Sequence, residues 1–157
     1  MFQRRAVLGV YALAFIGLLD QVTKWMVLER MGDVHRTVPL SSFLNLVLVW
    51  NKGVTFGLFN QGPSPIMRYL LIALAAGIVL LLGRWLYRTS STMVAVALGF
   101  IMGGALGNVI DRLRYGAVVD FLDFYYANYH WYAFNVADAA IVTGVALLLI
   151  DGMVRGQ

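Results

Sequence analysis

Four apolar segments, each close to the length that crosses a bilayer, constrain this chain more than any other feature of its sequence. They lie at about 6–28, 66–86, 93–110 and 136–154, against the roughly 20 residues that a hydrocarbon core of about 30 Å demands. A backbone inside lipid must satisfy its own N–H and C=O groups, so each segment reads as a helix. The first begins like a secretory signal, MFQRR followed by the apolar run Ala6 to Leu19. The following DQVTKWMVLER offers no small-x-small cleavage site, and the apolar pattern continues to Leu28, so the span is retained. The fourth reaches spanning length only if helix continues past Asp151 to Val154. The expected architecture is one all-α membrane domain over residues 1–157.

Between the first two spans, at about 32–65, the composition turns polar and β-branched. Phe43 to Trp50 (FLNLVLVW) is too short to span as a helix and suits a strand. Asn51-Lys52-Gly53 reads as a turn, Val54 to Gly57 as a returning strand, and Pro63 and Pro65 as breakers. This predicts a small extramembranous β-sheet. Ser90, Ser91 and Thr92 offer an N-cap for the third span. Inside that span Gly99, Gly103 and Gly107 recur every four residues, a stripe that lets another helix approach closely. Phe121 to Trp131, between the third and fourth spans, has the aromatic composition of an interfacial belt.

Four spans put both termini on one side, and nearly every unusual polar residue on the other. Arg4, Arg5, Arg84, Arg88 and Arg155 flank the terminal side in very short segments, and the Arg-Arg start of the first helix weighs most in orientation. The expectation is cytoplasmic termini, with the insert and the third-to-fourth connection outside.

Composition removes several chemistries. The net charge of +4 comes from scattered basic residues rather than a stripe, which argues against nucleic acid. Without cysteine there is neither disulfide nor thiol nucleophile. His35 and His130 stand alone, with no second ligand at helical spacing, so no metal or other cofactor is expected. None of the five serines lies in a span or near a Lys or His at a suggestive spacing.

Carboxylates remain. Asp20 and Lys24 share a helix face at i, i+4, as an internal salt bridge would require. Asn108, Asp111 and Arg112 close the third span, where an aspartate partner for the arginine is the bland account. Asp120 lies in VVDFLDF, with Asp123 as its competitor for any role or as an exposed acid facing headgroups. Asn135-x-x-Asp138 has the pattern of a helix-capping box, and a carboxylate there is also biased toward its ionised form. Two aspartates brought together would share one proton, so that one activates water while the other polarises a carbonyl. A membrane protease of this kind competes with a small transporter using the same residues as a proton relay, and with a helix-packing scaffold.

The blocks LDQVTK (Leu19 to Lys24), NKGVTFG (Asn51 to Gly57), GNVIDR (Gly107 to Arg112), VVDF (Val118 to Phe121) and FNVADA (Phe134 to Ala139) resemble lipoprotein signal peptidase, also called signal peptidase II. They occur in order over nearly the whole chain, departing at Val54-Thr55, where Ala-rich pairs are more familiar. The resemblance implies a four-span bacterial inner-membrane aspartic endopeptidase. It would cleave signal peptides from diacylglyceryl-modified prolipoproteins and be inhibited by the cyclic peptide globomycin. It places the catalytic pair on Asp120 and Asp138. The other motif residues, substrate-binding or site-supporting, fall on Asp20, Lys24, Asn51, Gly53, Asn108, Asp111, Arg112, Asn135 and Ala137.

Overall fold

The computed structural model describes residues 2–32, 37–53 and 65–155. Its elements are α1 (Phe2–Met31), β1 (Val38–Pro39), β2 (Leu44–Asn51), α2 (Pro65–Arg88), α3 (Thr92–Tyr115), β3 (Val118–Tyr126), β4 (Tyr129–His130) and α4 (Val136–Arg155). The four helices are each long and apolar enough to cross a membrane. The returning strand expected at Val54 to Gly57 lies outside the described residues, as do His35, Pro63 and the Val54-Thr55 departure.

Helix α3 is the axis of the bundle. It packs against α1, α4 and α2, while among the described residues α2 makes no contact with α4. Close approach explains the glycine stripe. A Cβ at Gly99 would strike the carbonyl of Gly9, and one at Gly103 the carbonyl of Leu13. On another side of α3, Gly104 faces the backbone of Ala137 in α4. Without a hydrophobic driving force between helices in lipid, such backbone proximity is a main source of packing energy. Gly107 ends the stripe differently, because a Cβ there would meet the Asp20 carboxylate. This glycine makes room for a buried carboxylate as well as for a helix.

Both ends of α3 are set by local signals. Ser91 is the N-cap, its Oγ accepting from the Val94 N–H at 3.2 Å and donating to Asp151 Oδ1 of α4 at 2.8 Å. Arg5 of α1 donates to the Ser90 carbonyl, and Arg155 pairs with Asp151 at 2.9 Å, so three helices are tied at the terminal end of the bundle. At the other end Gly116 adopts the left-handed conformation (φ 76°) and donates to the Arg112 carbonyl. The helix therefore runs five residues beyond Ile110, carrying Asn108, Asp111 and Arg112 in its final turns.

The sheet has the order β1-β2-β3-β4, antiparallel throughout. Besides β1, strand β2 pairs with β3, which lies in the aromatic connection between α3 and α4. The pairing joins strands about 70 residues apart, and tertiary packing rather than a local turn signal decides it. Leu44 pairs with Phe124, Asn45 with Asp123 and Leu46 with Leu122. Val49 then pairs with Asp120, Trp50 with Val119 and Asn51 with Val118. Between Leu46 and Val49 strand β2 carries one residue more than β3, a bulge. Val27, Met31 and Phe121 form a buried cluster, joined by Leu46, Leu48, Leu122 and Val136, that fixes the sheet to the end of α1. Tyr126, Tyr129, Trp131 and Tyr132 remain largely exposed around the β3–β4 hairpin, as an interfacial belt would be.

Candidate active site

Four elements converge where α3 gives way to β3 and where α4 begins. Asp120 is third in β3 and 1% exposed; Asp138 is in the first turn of α4 and partly buried. They belong to one hydrogen-bonded cluster. Asn135 Nδ2 donates to Asp120 Oδ1 at 2.7 Å, while its backbone N–H donates to Asp138 Oδ2 at 3.2 Å. Asp138 in turn donates its N–H to Asn135 Oδ1 at 3.0 Å, which completes the capping box that the spacing predicts. Capping does not exhaust Asp138, because its Oδ1 also accepts from Asn108 Nδ2 of α3 at 2.9 Å.

From the sheet, Asn51 Nδ2 donates to Asp120 Oδ2 at 2.8 Å. Asn51 is itself held by the Gly53 N–H, 2.9 Å from its Oδ1, in a turn that Gly53 permits with φ 80°. Burial, opposed by these amide hydrogen bonds, and the nearby Asp138 charge push the Asp120 carboxyl up to about 6. The guanidinium of Arg112 lies within electrostatic reach of Asp138, Asp120 and Asp111, and donates to the Asn108 carbonyl at 3.3 Å.

Beneath this layer sits a buried ionic cluster. Lys24 Nζ is 2.8 Å from Asp20 Oδ2, 2.7 Å from Asp111 Oδ2 and 3.0 Å from Asn108 Oδ1. The i, i+4 bridge within α1 is present, and Asp111 has Lys24 rather than Arg112 as its ionic partner. Asp20 Oδ1 accepts from the Ala137 N–H at 3.0 Å, and Asp111 Oδ2 from the Val119 N–H at 3.1 Å. All eleven residues singled out in the sequence therefore lie in, or bond directly to, one site.

Two features correct or extend the sequence reading. Asp123 is buried rather than an exposed acid facing headgroups: Asn45 Nδ2 lies 3.0 Å from its Oδ2, and His130 Nδ1 2.8 Å away. Residues three apart on a strand point to opposite faces, so Asp123 cannot share the surface of Asp120. Gln21 was missed. Its Nε2 lies 3.0 Å from Asp111 Oδ1 and 3.2 Å from Asp20 Oδ2, and its i, i+3 spacing to Lys24 was the available signal.

Residues 12–154 match the signal peptidase (SPase) II family. The chain belongs to the signal peptidase II family. It is 47% identical over 147 residues to a lipoprotein signal peptidase of Methylobacterium radiotolerans, covering 92% of this chain and 85% of that protein. It is 44% identical to the lipoprotein signal peptidase of Alteromonas mediterranea, covering 96% of this chain and 81% of the relative. Among solved structures it resembles a bacterial membrane enzyme determined by the in meso method at 2.3 Å, with a TM-score of 0.79 and 26% identity, over 95% of this chain and 89% of that one. A second such enzyme, at 1.9 Å, gives 0.78 and 27% over 91% and 90%. This signal peptidase II family member is thus a peptidase, and its four apolar helices make it a multi-pass protein of the bacterial inner membrane.

Proposed function

We propose that this chain removes signal peptides from diacylglyceryl-modified prolipoproteins, with Asp120 and Asp138 as an aspartic dyad. The observation that carries the reading is their shared partner: Asn135 binds both carboxylates, and Asn108 binds Asp138 while touching Asn135. Peptide hydrolysis needs a base for the attacking water and a donor to the carbonyl oxygen. Two carboxylates close together in a poorly hydrated site retain one proton between them. Asp120, raised to about 6 mainly by burial, is the natural holder of that proton, and a substrate that excludes more water raises it further. Asp138 then takes a proton from water as it attacks and Asp120 protonates the developing oxyanion. As the gem-diol intermediate collapses and the C–N bond breaks, Asp138 gives its proton to the leaving amine and Asp120 takes one back from a hydroxyl of the gem-diol.

The position of the site supports the lipid requirement. Asp120 and Asp138 lie at one end of the spans, beside a sheet fringed with exposed aromatic residues. We assign that end to the extracytoplasmic side and both termini to the cytoplasm, following the Arg4-Arg5 start. An acyl-anchored cysteine holds its scissile bond at this depth, so anchoring supplies orientation before catalysis begins. Membership of the family implies globomycin as an inhibitor of the same site. The test is cleavage of a model prolipoprotein by the purified protein, with products identified by mass. Cleavage just before the modified cysteine, blocked by globomycin and much slower on unlipidated precursor, is expected. Equal rates on the two precursors would remove the lipid requirement.

A further inference from the structure

Each carboxylate of the buried ionic cluster grips the peptide N–H immediately before one aspartate of the dyad. Asp20 holds Ala137, which precedes Asp138; Asp111 holds Val119, which precedes Asp120. The two carboxylates come from different helices, α1 and α3, and only two described side chains bridge them. One is Lys24, at 2.8 and 2.7 Å, and the other is Gln21, at 3.2 and 3.0 Å. Gln21 also donates to the Gly107 carbonyl at 3.3 Å, at the point where α3 lacks a side chain and Asp20 fits against it.

We infer that Gln21 and Lys24 are positioning residues that set the separation of Asp120 and Asp138. They do so by locking Asp20 to Asp111 and thereby Ala137 to Val119. The inference rests on the dyad reading above. A bundle needs no such arrangement to pack: an ion cluster buried this deeply is weak evidence for stability, since apolar residues of similar volume often do as well. What the cluster supplies is a fixed distance between two backbone points on β3 and α4, elements that meet each other through site residues and the Leu122–Phe134 bridge. Water attack between two carboxylates is sensitive to that distance, and a misplacement of about 1 Å costs on the order of 10²-fold in rate.

The test compares wild type with Gln21→Leu and Lys24→Met in detergent micelles. It reads turnover on the diacylglyceryl precursor together with the titration of ¹³Cγ-labelled aspartates, assigned with Asp120→Asn and Asp138→Asn. The charged and titratable groups around the dyad are Lys24 and Arg112, with Asp20 and Asp111 on the peptide N–H groups beside it. Gln21→Leu removes none of these charges and touches neither dyad carboxylate, so a change in the dyad's titration reports an effect passed on through Asp20 and Asp111. Gln21→Leu, half-buried and uncharged, is expected to fold, to lower kcat roughly tenfold at unchanged KM, and to displace the titration of both dyad aspartates. Lys24→Met is expected to do the same more strongly; if it does not fold, Gln21→Leu decides. A folded Gln21→Leu protein with wild-type titration overturns the inference, whether its turnover is normal or reduced, because a purely structural loss leaves the dyad's coupling intact. Failure of wild type to cleave the precursor would instead overturn the proposed function, while the titrations still decide the clamp.

Discussion

Asn135 and Asp138 cap each other: the backbone N–H of Asn135 lies 3.2 Å from Asp138 Oδ2, and that of Asp138 lies 3.0 Å from Asn135 Oδ1. The exchange secures the first turn of α4 and leaves Asp138 Oδ1 for Asn108. The cap and the contact with α3 thus use different oxygens of one carboxylate.

That division makes the two roles separable. Asp138→Asn keeps an acceptor for the cap, so thermal stability should fall by no more than about 1 kcal/mol. Turnover should fall at least about 10²-fold, as should that of Asp120→Asn, because each removes a base or donor. The double variant should be no worse than either single one, since groups acting as a unit are non-additive. A folded Asp138→Asn protein that cleaves normally would leave the cap as the whole explanation.

The hydrogen bond from Asn51 to Asp120 stabilises the ionised carboxylate, and so opposes the burial that raises this group to about 6. Replacing Asn51 with Leu removes that opposition, and the Asp120 pKa rises further. Activity that needs Asp120 protonated is lost as pH climbs through this pKa. The alkaline limb of the kcat profile in Asn51→Leu should therefore move to higher pH, with a lower maximum. A shift to lower pH would reverse the assignment of Asp120 as the proton donor.

Gly107 is the tightest point between α1 and α3 near the site. Gly107→Ala should displace Asp20, loosening its hold on Ala137, and lower turnover by about tenfold or more. Gly83→Ala, in α2 with open space around its Cβ position, is the comparison, and should be neutral or slightly stabilising. Equal behaviour of the two variants in cleavage and thermal unfolding would remove the special status of Gly107.

The absence of cysteine permits clean labelling. Single cysteines at Tyr129, on the exposed hairpin, and at Ser90, on the exposed loop between α2 and α3, should react with an impermeant maleimide from opposite faces. Tyr129→Cys should label in intact cells and Ser90→Cys only after permeabilisation. Labelling of both in intact cells would overturn the proposed orientation.

The helices were legible because bilayer length and apolarity are local properties of a segment, and the capping box because its partners are three residues apart. The strand Phe43 to Trp50 was visible from its composition, whereas its pairing with β3 was not. Nothing local in Asn51 points to Val118. Asp123 was misjudged for a similar reason: its neighbours Asn45 and His130 come from other strands, and only the sheet brings them together. Asn108 stood out by its place at the end of the third span, whereas Ala137 came from motif resemblance alone. The physical role of Ala137 resides in its backbone N–H, which a residue's identity does not reveal.

The bulge in β2 decides which side chain Asp120 meets. Leu46 faces Leu122, and a ladder carried on from there with no bulge and all residues kept would run Leu48 to Asp120 and Trp50 to Val118. Every side chain beyond that point would change faces. Trp50 would present its indole to the aspartate and Asn51 would turn to the other side. Deleting Val47 would absorb the bulge and keep Asn51 opposite Val118; it is a strand straightened with all its residues in place that would lose the carboxamide now donating to Asp120. The phase of one strand, counted in single residues, is as much a determinant of this site as the identity of any residue in it.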